Sequence, residues 1–68
     1  MKVKDLVIGG RYRDKAHPRE TLIYLGIVES GLYEGEHGFD EEPQGDGEYP
    51  VGAICTDEEI ETDIEPKT

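Results

Sequence analysis

TLIYLGIV, residues 21–28, is the stretch whose reading sets the fold class. It is rich in β-branched and aromatic side chains, which suit a pleated, half-buried surface. With a period of two, Leu22, Tyr24 and Val28 share one face, and Ile23, Leu25 and Ile27 share the other. A strand apolar on both faces belongs at the centre of a closed or covered sheet. Gly26, in its middle, marks the bend or bulge that a small barrel needs at its corners.

The flanking segments extend this reading. Val3, Leu6 and Val7 can share one face of a single turn, which Gly9-Gly10 breaks. GRYRDK, residues 10–15, reads as a strand with Tyr12 pointing opposite to Arg11 and Arg13, and AHPRE, residues 16–20, as a Pro-centred turn. After residue 28, Ser30-Gly31 marks a turn and LYEG, residues 32–35, a short strand. Residues 34–48, EGEHGFDEEPQGDGE, hold seven acids and four glycines, with Phe39 as the one large apolar residue; they read as a long, flexible acidic loop. YPVGAICT, residues 49–56, returns to strand composition, Asp57-Glu58 reads as a turn, and EIETDIE, residues 59–65, as a last strand ended by Pro66. The expectation is a single, mainly all-β domain over residues 1–68. It takes the form of a five-stranded SH3-like barrel or a strongly bent antiparallel sheet, with a long acidic loop. The rival is a helix in the last segment, where glutamates are helix-friendly but Ile60 and Ile64 are the only apolar pair at i, i+4.

A chain of 68 residues buries only about 60% of the surface its unfolded form exposes, so the core is thin. Cys55 is the sole cysteine, which excludes an intrachain disulfide and reads as a small buried hydrophobe. No segment approaches the roughly 20 apolar residues of a membrane span, and MKVKDLVIGG lacks a secretory h-region, so a cytoplasmic protein is expected. The net charge of -10 is unevenly spread: residues 1–28 carry +3 and residues 29–68 carry -13. A half this acidic repels nucleic acid and anionic membrane and attracts basic partners.

The acids then raise the question of function. On a strand, Glu59, Glu61, Asp63 and Glu65 would stand in one line about 6.6 Å apart, with Ile60 and Ile64 turned to the core. That spacing is roughly twice the 3.4 Å rise per phosphate of one DNA strand, close to the through-space distance between phosphates. The row is therefore a candidate decoy surface for a cationic nucleic-acid-binding groove, against the plainer reading of a solvated, aggregation-resistant strand face. The acids Glu36, Asp40, Glu41 and Glu42 extend the surface, and Tyr33 and Tyr49 are candidate anchors. The loop acids lack the spacing of an EF-hand. His17 and His37 read as exposed, and with one cysteine they make no zinc site. No phosphate loop, nucleophile–base pair, metal set or cofactor motif is present, so no enzymatic activity, metal or cofactor is expected.

KDLVIGGRYRDK, residues 4–15, followed by TLIYLG, residues 21–26, resembles the start of short SH3-like proteins common among bacteriophage reading frames. The acidic second half is similar in character to phage-encoded nucleic-acid mimics, small proteins that disable restriction enzymes, nucleoid proteins, CRISPR effectors or host polymerase. The resemblance is one of class and carries over no binding residue. It implies a non-catalytic inhibitor in the host cytoplasm, a monomer or homodimer, that occupies the basic groove of a nucleic-acid-binding protein without itself touching nucleic acid or membrane. The alternative is a small SH3-like structural or adaptor protein that docks a protein partner through an apolar groove.

Overall fold

The computed structural model describes residues 1–41 and 52–67. A short 3-10 helix, Val3–Asp5, precedes β1 (Arg11–Asp14), β2 (His17–Ile27), β3 (His37–Glu41) and β4 (Ala53–Cys55); α1 (Asp57–Asp63) and β5 (Ile64–Pro66) follow. The strands form one five-stranded antiparallel sheet in the order β4-β3-β2-β1-β5. The expected barrel is not formed, because β4 and β5 remain the two edges of an open sheet. One face is covered instead of closed upon itself. Ile60 of α1 is fully buried there, and Met1, Val3 and Leu6 pack beside it.

β2 is the central strand, as its sequence demands. Leu22 and Tyr24 point into the core, while Ile23 and Leu25 point outward. The bulge falls at Gly26: the register with β3 slips between Tyr24 and Gly26, and Gly26 has φ of +112°, a region other residues rarely adopt. β2 begins earlier than expected, at His17, because the turn is made by Lys15 and Ala16, with the Asp14 carboxylate accepting from the Ala16 N–H at 2.8 Å. Gly10 is required for a different reason. A Cβ there would lie 2.9 Å from the Tyr12 hydroxyl and 2.9 Å from the Val7 carbonyl.

Three assignments are corrected. Residues 32–35 form a turn, not a strand. The third strand lies inside the supposed acidic loop 34–48, as His37–Glu41. Phe39, 1% exposed, stacks tilted on Tyr24 at 5.3 Å and edge-on to Tyr12 at 6.3 Å, and this packing holds β3 in the sheet. The remainder of that loop from residue 42, and the strand expected from residue 49, fall outside the described residues until Gly52.

The third correction decides the site. Asp57–Asp63 is helical, so the last strand shrinks to Ile64–Pro66. Thr56 and Glu59 form a reciprocal capping box: the Glu59 N–H donates to Thr56 Oγ1 at 3.2 Å and the Thr56 N–H donates to Glu59 Oε1 at 3.1 Å. Asp57, Glu58 and Glu59 in the first turn complement the positive end of the helix dipole. At the other end no basic side chain is present, and the Met1 ammonium donates to the carbonyls of Ile60, Glu61 and Ile64 at 3.3–3.5 Å. These contacts outweigh the low helix propensity of Thr, Asp and Ile.

Candidate interaction surfaces

The helix breaks up the expected carboxylate row. Successive residues turn about 100°, so Glu59 and Asp63 share a face and Glu61 points nearly opposite. Glu59 is held in the capping box, and Glu65, on β5, pairs with Arg13 at 2.9 Å. Glu58, Glu61 and Asp63 project from α1 into solvent. The helix therefore presents five acids and no cation in seven residues, arranged around an axis rather than along a line. Of the other candidates, Asp40 is exposed on β3, Glu41 is half-buried at its end, and Glu36 is half-buried just before it. Tyr33 is exposed in the turn, whereas Glu42 and Tyr49 lie outside the described residues.

Sequence reasoning missed a buried polar network. His37, expected to be exposed, is 1% exposed. Its Nε2 lies 2.6 Å from Asp57 Oδ1, and its Nδ1 lies 2.9 Å from the Tyr24 hydroxyl. An ionised Asp57 accepts from Nε2–H, which leaves Nδ1 to accept from the Tyr24 O–H. Tyr24 stays a donor, because burial, then Tyr12 and Asp57, push its pKa above 10.0. The network ties β2 and β3 to the first turn of α1. The signal for it was the alternation His37, Phe39 against Gly38, Asp40, a period of two once histidine is allowed inside.

Cys55 is the direct cross-strand partner of His37. Burial first, and then Glu59, Asp14, Asp63 and Glu36, push its thiol up to about 11. It is a protonated thiol at neutral pH, whereas a nucleophile must be a thiolate. Among the described residues, no three His, Cys, Asp or Glu side chains converge as a metal set.

The outer face of the sheet is apolar over one half. Gly26 and Gly38 lie opposite each other and leave a groove of about 430 Å³, walled by Leu25, Val28 and Ile54. Leu25 is 57% exposed and Ile54 40%, whereas Ile27, beyond the bulge, pairs with His37 and shares its face. Ile8, 72% exposed, reaches to 3.4 Å from where a Gly26 side chain would start. In the next row Arg11, Ile23 and Asp40 stand directly across β1, β2 and β3. Nearer the β5 edge, Arg13 meets Glu65, and Lys67 Nζ donates to Thr21 Oγ1 at 2.6 Å and to the Arg19 carbonyl at 3.2 Å.

No family model, curated protein or solved structure matches the chain. No helix among the described residues is long and apolar enough to cross a membrane.

Proposed function

We propose that this chain is a non-catalytic protein-interaction module, an inhibitor of the phage type, whose acidic surface engages a basic nucleic-acid-binding protein. The observation that carries the reading is α1: an exposed helix with five carboxylates and no cation, capped so that it holds its shape. The match to phosphate spacing rested on a strand and is withdrawn with it. What remains is a field of negative charge, which speeds association with a cationic groove and weakens with salt. The protonated state of Cys55 and the burial of His37 favour a non-catalytic role.

The test is retention of proteins from bacterial lysate by wild type and by a Glu58→Gln, Glu61→Gln, Asp63→Asn variant, at low and high salt. These three positions leave the capping box and the His37 contact untouched. A nucleic-acid-binding protein held by wild type and lost with either the variant or salt is the expected result. Equal retention by both would make α1 a solvated face.

The groove over Gly26 and Gly38 favours a second reading, an adaptor that docks a protein through its apolar face. Its partner would be retained at high salt and lost on Ile54→Glu.

A further inference from the structure

We propose that the turn between β2 and β3, residues 28–36, is an apolar anchor beside the acidic surface: Leu32 and Tyr33 insert together into an apolar pocket ringed by lysine or arginine on the partner protein. This deepens the acidic-surface reading and rests on it for the positive charge of the partner.

The first argument is where these two side chains stand. Leu32 is 97% exposed and Tyr33 54%, side by side in the middle of the turn. Neither belongs to the core cluster or packs against it. Turns favour Gly, Pro, Asn, Asp and Ser, so a polar pair here would serve the fold as well. A single exposed apolar residue is ordinary. An adjacent Leu and Tyr with no packing role of their own are a contact feature, and Tyr is favoured at interface centres.

The second argument is that the turn is built to hold them outward. Its base is closed by two bonds: the Val28 N–H donates to the Glu36 carbonyl at 2.8 Å, and the Gly35 N–H to the Val28 carbonyl at 2.9 Å. Inside it, the Glu34 N–H donates to the Gly31 carbonyl at 3.2 Å and the Glu36 N–H to the Tyr33 carbonyl at 3.0 Å. Gly31 and Gly35, with φ of +99° and +88°, let the backbone close in this way. A turn fixed before contact leaves less ordering to be done on binding.

The third argument is charge, and it selects the occupant. No lysine or arginine lies between Arg19 and Lys67 in the sequence. Glu29 and Glu34 are exposed in the turn, and Glu36 is half-buried at its end. α1 starts at the same end of the sheet, because Cys55 pairs with His37, the residue after Glu36, and Asp57 reaches His37 at 2.6 Å. Asp57 and Glu58, both exposed, therefore add to the same rim. An anionic membrane or a nucleic acid is repelled by such a rim, and a second copy would set acids against acids. A protein pocket with an apolar floor and a cationic edge complements both parts. α1 is only about 10 Å long, so one partner face can meet the helix and the turn together.

The test irradiates a Tyr33→p-benzoylphenylalanine chain in bacterial lysate and maps the covalent adduct by peptide mass spectrometry. The expected product is one protein with a pI above about 9, joined through an apolar side chain that has lysine or arginine among its neighbours. That protein, once purified, should bind Leu32→Ser about tenfold or more weakly than wild type, at low and high salt alike. It should bind the Glu58→Gln, Glu61→Gln, Asp63→Asn variant more weakly at low salt only. Residue 32 is exposed, so the circular dichroism of Leu32→Ser should match wild type. No adduct, an adduct on a protein without a basic pocket, or equal affinity for Leu32→Ser overturns the anchor. If a basic protein is still lost with the helix variant in that event, the acidic-surface reading stands without it. If no chain retains a basic protein, both fall. Loss with Leu32→Ser and none with the helix variant upholds the anchor and overturns the role of α1.

Discussion

Replacing His37 by Phe should be among the most damaging conservative changes available to this molecule. The imidazole is 1% exposed and forms two hydrogen bonds, one to Tyr24 and one to Asp57. A phenyl ring fills similar space, so little cavity is made. The Tyr24 hydroxyl, buried in the core, loses its acceptor, at a cost of about 1–3 kcal/mol. The carboxylate of Asp57, 74% exposed, returns to water, so the lost contact adds only about 0.5–1.5 kcal/mol. The sum, about 1.5–4.5 kcal/mol, is a large share of the roughly 3–10 kcal/mol available to a chain of this length. Urea unfolding at neutral pH measures it, provided the slope is unchanged. The Tyr24→Phe variant should likewise cost about 1–3 kcal/mol, since it removes the donor and leaves the buried Nδ1 of His37 unpaired. In the double variant Tyr24→Phe, His37→Phe, both partners are gone and no orphaned hydroxyl remains. Its loss should fall short of the sum of the single losses by about 1–2 kcal/mol. Strict additivity would refute the reasoning, because it would mean that Tyr24 and His37 do not share a bond.

Three further outcomes follow from the same contacts. The Cys55 thiol, raised from 9.0 to about 11, keeps its proton in the folded chain while the unfolded chain loses it. Its contribution to stability is therefore full below pH 9 and declines by about 1.4 kcal/mol per pH unit between pH 9 and 11; a Cys55→Ala variant should lack that decline, and the native thiol should react with a disulfide reagent only after urea is added. Thr56→Ala removes the side-chain half of the capping box and should cost about 0.5–2 kcal/mol with a loss of helical circular dichroism, whereas Thr56→Ser should be nearly neutral. Gly10→Ala forces a methyl to within 2.9 Å of the Tyr12 hydroxyl and the Val7 carbonyl and should lower stability by about 1–3 kcal/mol in urea; an unchanged midpoint would show that this corner can open.

The parts of the fold that were legible in sequence are those decided by local pattern. TLIYLGIV has a clear period of two, and Gly26 interrupts it where the bulge forms. GRYRDK gave β1 for the same reason. The carboxylate row is lost because capping overrides the alternation: Thr56 followed three residues later by Glu59 is a helix-start signature, and Asp57-Glu58 lies in the first turn of that helix. β3 failed for a non-local reason. HGFDE has one large apolar residue, and it becomes a strand because Tyr24 offers Phe39 a ring and His37 a hydroxyl. No local propensity encodes that. The acids were legible as a charge balance, but their geometry depended on the secondary structure that carries them. The groove was not legible, because it needs Gly26 and Gly38 side by side, a fact of register.

The position of β1 in the sheet has a consequence for how the molecule assembles. On one side β1 pairs with β2 through a tight turn, but on the other it pairs with β5, where Arg13 meets Glu65 across 52 intervening steps of chain. The β1–β2 ribbon closes a short loop, whereas β5 closes one of the longest the chain can make, and long-range closure is the slower event. β5 covers the outer edge of β1, and α1, which runs directly into β5, supplies Ile60 to the core. A change that detaches α1 and β5 therefore bares a sheet edge and uncovers the core at once, so adventitious strand pairing and loss of stability are set by the same short segment.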